Sequence, residues 1–202
     1  MSSKCPVFAV LMIALGTWVV IDNAHADAVP PMVDRAAPGP GQQALDPLVG
    51  DWQVEKTLFV AIGTPEHPAL SEKMTTHREW VGDGRFLQDT TQGTLKGKPY
   101  FRTGLLGYNN MDRRYEWTTA DNFTPTLMAY QGADGSPTES PIDMRGSFTD
   151  LGITGEANVG ATIPMRTHII IDSPDRHEIE IYFTPPGGAE VLADRMVFTR
   201  IK

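Results

Sequence analysis

From residue 45 onward the chain alternates apolar and polar side chains in short runs, and Gly, Pro, Asp or Asn separates one run from the next. A period of two turns one face of each run toward a core and the other toward water, as in a half-buried antiparallel strand. No stretch sustains the 3.6-residue apolar period of an amphipathic helix. In the clearest run, 162–171, Ile163, Met165, Ile169 and Ile171 share one face, and Arg166 and His168 lie on the other. After the turn Ser173-Pro174-Asp175, His177, Ile179, Ile181 and Phe183 alternate with Arg176, Glu178, Glu180 and Tyr182. Pro185-Pro186-Gly187-Gly188 ends that strand, and 191–201 returns beside it, so the three runs read as a meander.

Earlier strands are predicted near 52–62, 72–81, 85–94, 101–108, 114–119, 126–131 and 142–148. Turns fall at Gly82-Asp83-Gly84, Lys96-Gly97-Lys98, Asn109-Asn110-Met111-Asp112 and Ala133-Asp134-Gly135. About ten hairpin-linked strands form a sheet that curls and closes, because closure removes the edges that invite aggregation. The expected fold is all-β, an antiparallel up-and-down β-barrel over residues 44–202. The alternative is a two-sheet sandwich.

The ends differ from this pattern. Lys4 precedes an apolar run at 6–21, and Ala24-His25-Ala26 supplies small residues at cleavage spacing, so residues 1–26 read as a signal peptide cut before Asp27. The run is shorter than the roughly twenty residues of a membrane-spanning helix, which argues against a retained anchor. The expected location is periplasmic or secreted. Cys5 is the only cysteine and leaves with the signal peptide, so the remaining chain forms no disulfide and carries no thiol nucleophile or thiolate metal ligand. Residues 27–43 are rich in Pro, Ala and Gly and are expected to be a disordered tether. The formal charge of −8 comes without a basic cluster, which argues against a nucleic-acid or anionic-membrane partner.

Leu45-Asp46-Pro47-Leu48-Val49-Gly50-Asp51-Trp52-Gln53-Val54-Glu55 resembles the opening of the bacterial domain-of-unknown-function 1579 family. Gly82-Asp83-Gly84-Arg85-Phe86-Leu87, Gly104-Leu105-Leu106-Gly107-Tyr108-Asn109 with Tyr115-Glu116-Trp117, and Met196-Val197-Phe198-Thr199-Arg200 extend the likeness over nearly all of 45–202. That family is similar to the calycins, the lipocalin-like barrels. The resemblance implies that Gly50 and Trp52 close one end of the barrel and that Arg200 packs on the indole. A guanidinium over an indole is worth about 0.5–2 kcal/mol. The opposite end would then be the mouth.

The chain shows no Gly-x-Ser-x-Gly, His-Glu-x-x-His, P-loop or dinucleotide glycine pattern. Of His67, His77, His168 and His177, only His177 and, less clearly, His77 have positions that reach an interior, and no carboxylate stands beside them at a ligand spacing, so no metal site is expected. Small haem-carrying barrels of this type use a late histidine. The corresponding stretch here, 191–196, has none, which leaves only Met196 or His177 as iron ligands and gives the expectation of no cofactor. The candidate ligand-binding residues are Arg78 and Trp80, which share a strand face with Met74 and Thr76, and Tyr115 and Trp117 on the next aromatic face. Aromatic walls with a few directed polar groups suit a small-molecule pocket, although packing explains the same pattern.

The preferred reading is non-covalent binding of a small, largely apolar ligand through the mouth. The alternative is a structural or interaction module of the cell envelope with a side-chain-filled barrel and a contact loop at 132–141. A third reading, an enzyme at the mouth using Arg78 and a nearby carboxylate, has the least support, because Arg stabilises anions more readily than it carries protons.

Overall fold

Side chains that the alternation assigns to a core face meet inside a closed barrel. The structure, a computed structural model, describes residues 31–202. The expected signal peptide, its cleavage site and the first residues of the expected tether lie outside the described residues. Among the described residues ten strands follow one another: β1 Gly50–Leu58, β2 Ala69–Val81, β3 Phe86–Leu95, β4 Lys98–Asn109, β5 Arg114–Asp121, β6 Met128–Gln131, β7 Ile142–Thr149, β8 Thr162–Ser173, β9 Arg176–Phe183 and β10 Val191–Arg200. Each pairs antiparallel with its sequence neighbour, and β1 pairs with β10, so the sheet is a closed barrel and not a two-sheet sandwich.

Register follows the hydrophobic alternation, since a one-residue slip would turn every core side chain outward. Ile169 faces Ile179 across β8 and β9, and Trp52 faces Arg200 across β1 and β10. The inward rows are buried: Trp52 and Val54 on β1, Ile163, Met165 and Ile169 on β8, and Met196 and Phe198 on β10. Where the register shifts between Leu192 and Asp194, Ala193 is an extra residue on β10, and Ala193 and Asp194 are both buried. A bulge of this kind re-aims a side chain while pairing continues on either side.

The closed end is built by the chain that leads into β1. A 3-10 turn at Asp46–Leu48 buries Leu48, and Leu45 before it is fully buried. Trp52 Nε1 donates to the Leu48 carbonyl at 3.0 Å. The Arg200 guanidinium lies 4.2 Å from the centre of the Trp52 ring and donates to the Pro47 and Val49 carbonyls at 2.8 and 2.7 Å. Gly50 has φ +116°, and a Cβ there would stand 2.7 Å from Arg200 Nη1, so both the backbone and the space call for glycine.

The described part of the segment expected to be a tether is ordered. Two helical turns, α1 Met32–Arg35 and α2 Pro40–Gln43, lie against the closed end. Pro40 occupies a first-turn position, where its missing N–H costs nothing. Gln42 is buried, accepts from the Gly39 N–H at 2.8 Å and donates to the Tyr108 carbonyl at 2.9 Å. Asn110 Nδ2 donates to the Arg35 and Ala37 carbonyls, both at 2.9 Å. Composition pointed to a flexible spacer because Pro and Gly forgo regular ladders. What holds this stretch is a set of partners from distant strands.

Candidate functional site

At the end opposite Trp52 and Arg200 the barrel opens into a cavity of about 360 Å³. Its upper wall is apolar: Leu58 and Leu95 from the ends of β1 and β3, Val60 and Ile62 from the β1–β2 connection, and Ile181 and Phe183 on β9. Phe123, Met128, Leu151 and Ile153 stand at the rim. The rim loops are tied to the barrel and to each other, with Phe59 N–H donating to the Ala193 carbonyl at 2.8 Å and Ala61 N–H to the Ile153 carbonyl at 3.2 Å. Asp150 fixes the β7–β8 loop by accepting from Gly152 N–H at 2.9 Å, Ile153 N–H at 2.6 Å and the Thr154 hydroxyl. Partial burial works against that carboxylate, yet the bonds from Thr154 and the loop amides outweigh it and hold its pKa below the ordinary value.

The floor is polar and charged. Lys56, Tyr100, Arg102, Thr119, Tyr130 and Asp194 all line it. Lys56 and Arg102 are each 4 % exposed and Asp194 is 7 % exposed, so these charges stand almost wholly out of bulk water. Lys56 forms an ion pair with Asp194. Burial opposes the lysine's charge, but Asp194 and Tyr100 outweigh it and its pKa is raised. Arg102 Nη2 donates to Asp89 Oδ1 at 3.2 Å, Nη1 reaches only the Met196 sulfur at 3.7 Å, and Nε has no partner. Here too burial opposes the charge, and Asp89 leads the groups that raise the pKa. Burial pushes the Tyr100 and Tyr130 phenols upward, so both stay protonated donors at neutral pH. Gly104, between Arg102 and Leu106, leaves the room that Asp89 and Trp117 occupy, since a Cβ there would come within 2.5 and 2.8 Å of them.

The four residues expected to bind a ligand sit elsewhere. Arg78 is buried near the closed end, 4.4 Å from the centre of the Phe198 ring, and donates to His177 Nε2. Burial lowers its pKa to about 10, which leaves it charged at neutral pH. His177 is fully buried between Trp52 and Phe198, with ring centres 4.3 Å from each, and burial with the Arg78 charge holds its pKa far below the usual imidazole value. Trp80, partly buried against the core, donates from Nε1 to Asp46 Oδ1 at 3.0 Å. The Tyr115 hydroxyl is directed at the Gly41 and Thr138 carbonyls, 3.0 and 2.9 Å away. Trp117 comes nearest to the cavity, stacked at 5.4 Å on Tyr130, with Arg102 5.1 Å from its ring centre. Arg78, Trp80 and Tyr115 have the inward period but do not line this cavity, because both ends of a barrel strand share one inward face. His77 is exposed and meets Asp51 at 2.7 Å on the outer surface.

The floor residues carried a signal that the reading by residue type passed over. Lys56 follows Trp52 and Val54 at period two, Arg102 stands between Tyr100 and Leu106 on an inward row, and Asp194 precedes Met196 and Phe198. A charge on an inward row is a pocket candidate.

No curated protein matches the sequence. Among solved structures, an S-type phycobiliprotein lyase from Guillardia theta is similar at 10% identity and a TM-score of 0.47, over 86% of this chain and 99% of that one. EF1p2_mFAP2b bound to DFHBI is similar at 14% identity and a TM-score of 0.40, over 79% of this chain and 98% of that one. The redesigned β-barrel mFAP0, also bound to DFHBI, gives 16% identity and a TM-score of 0.38, over 77% and 100%. The family model described as "Protein of unknown function (DUF1579)" matches residues 37–200, a span that takes in the closed end, the whole barrel and the mouth, and the chain therefore belongs to that family.

Proposed function

We propose that this protein is an exported carrier or sensor that binds a small, largely apolar molecule non-covalently in the mouth of the barrel. The observation that carries this reading is the cavity of about 360 Å³ opposite the plugged end, within the range of small-molecule pockets. Its upper wall is aliphatic and aromatic, which supplies binding area, and its polar groups are gathered at the floor, which orients a ligand. A barrel filled by side chains, the alternative architecture, lacks such a volume. Export rests on the first 26 residues and places the ligand in the periplasm or outside the cell.

The test is organic extraction and native mass spectrometry of the full chain purified from its own cell envelope. The expected result is one reproducible co-purifying compound at a stoichiometry near that of the protein. A folded protein that carries nothing and takes up no apolar probe overturns the reading.

A further inference from the structure

The buried charges on and below the cavity floor do not cancel. Among the described residues, the barrel interior buries three cations, Lys56, Arg78 and Arg102, against two carboxylates, Asp89 and Asp194. Lys56 takes Asp194. Asp89 is left to two guanidinium groups: Arg102 bonds it directly, and Arg78 is its cross-strand partner in register. The other strongly buried acids are engaged elsewhere, Glu178 with Arg176 and Arg195 and Asp150 with its own loop. Asp121, the remaining carboxylate on the cavity wall, is only half-buried, and its Oδ1 accepts from the Phe123 and Thr124 amides at 2.8 and 2.9 Å. It pairs with Arg102 across β4 and β5 in register, yet the guanidinium is bonded to Asp89.

Arg102 is the member of the Arg78–Asp89–Arg102 group that lines the cavity. A guanidinium has five N–H donors, and this one has a single carboxylate oxygen, a thioether and no partner for Nε. Around it the floor is rich in donors, with the Tyr100, Tyr130 and Thr119 hydroxyls and the Lys56 ammonium. A buried guanidinium whose remaining N–H donors find no oxygen keeps part of its desolvation cost uncompensated, so this site favours a ligand that brings acceptor oxygens and a negative charge to the three-to-two count.

Building on the reading of the mouth as a binding cavity, we infer that the ligand is an amphiphile with a single anionic head, seated head-down at Arg102 with its apolar body along Leu58, Leu95 and Phe183. A carboxylate meets the requirement with its compact charge and acceptor-only oxygens. A cationic head would stand beside Lys56 and Arg102 and leave the charge imbalance larger.

The experiment compares three probes of one chain length, decanoate, decan-1-ol and decylamine, by calorimetric titration into the full chain near neutral pH. The expected order is decanoate first, about ten-fold or more tighter than decan-1-ol, with decylamine weakest. In R102Q the decanoate advantage over decan-1-ol falls to a few-fold or less. R102K retains the charge and keeps most of the preference, which separates an electrostatic role from a loss of folding. Equal binding of decanoate and decan-1-ol by the unaltered protein, or a preference for decylamine, overturns the anionic head and leaves the apolar cavity standing. Failure of all three probes to bind a folded protein overturns the cavity reading as well.

Discussion

His177 and Lys56 are both buried inside the barrel, and their surroundings drive their protonation in opposite directions. His177 is held neutral by burial and by Arg78, whose N–H it accepts. Its folded pKa lies below the unfolded value of about 6.5, so the unfolded chain binds the extra proton first and stability falls as pH drops through that value. His177→Gln keeps an acceptor for Arg78 but does not titrate. The expected outcome is a urea-unfolding free energy that declines between about pH 6.5 and 4.5 less steeply than in the unaltered protein, by about 1.4 kcal/mol per pH unit. Lys56 has the opposite sign: its folded pKa is raised above 10.5, so its pairing with Asp194 contributes in full below that value and is lost as pH rises through the folded pKa. Asp194→Asn leaves the buried ammonium without its counter-charge and costs about 3–5 kcal/mol at neutral pH. Burial then lowers the Lys56 pKa, and the deficit of the variant shrinks as pH rises toward about 10, measured by urea titration at both ends of the range.

At the scale of elements, the segment before β1 and the last strand form one closure. Arg200 on β10 holds the carbonyls of Pro47 and Val49 while its guanidinium covers Trp52 on β1. Gly50→Ala places a Cβ against Arg200 at a positive φ and is expected to lower stability by about 1–3 kcal/mol. Leu45→Ala removes a fully buried side chain from the plug and costs about 2–5 kcal/mol, whereas Met32→Ala, 71 % exposed on α1, changes little. Chemical denaturation of the three variants checks both statements, and equal losses at Leu45 and Met32 would contradict the plug.

For the molecule as a whole, the two ends have different compositions. One is closed by Leu45, Leu48, Trp52 and Arg200, and the other keeps charged groups beneath an unfilled apolar volume. A ligand that binds only the folded barrel raises its stability by mass action, by about 2.7 kcal/mol at a hundred times the dissociation constant. Thermal unfolding with increasing decanoate is therefore expected to give a transition temperature that keeps rising with ligand concentration. No rise at saturating ligand would contradict binding to the native state.

What the amino-acid sequence determined by itself is the strand pattern, because alternation is local: Ile163, Met165 and Ile169 must share a face whatever they pack against. Ten strands with short turns then leave few topologies, and the Gly50, Trp52 and Arg200 positions marked the closed end through a family likeness. Height along the barrel was not legible in the same way. Arg78 and Arg102 are both cations on inward rows, yet only Arg102 lines the cavity, because height depends on how β2 and β4 are staggered around a closed sheet. The pairing of Lys56 with Asp194 across 138 residues, and the order of residues 31–43, likewise depend on partners that only the folded chain brings within reach. Period two settles which side of a strand is inside; the tertiary structure decided which inside residues meet one another and which face an open volume.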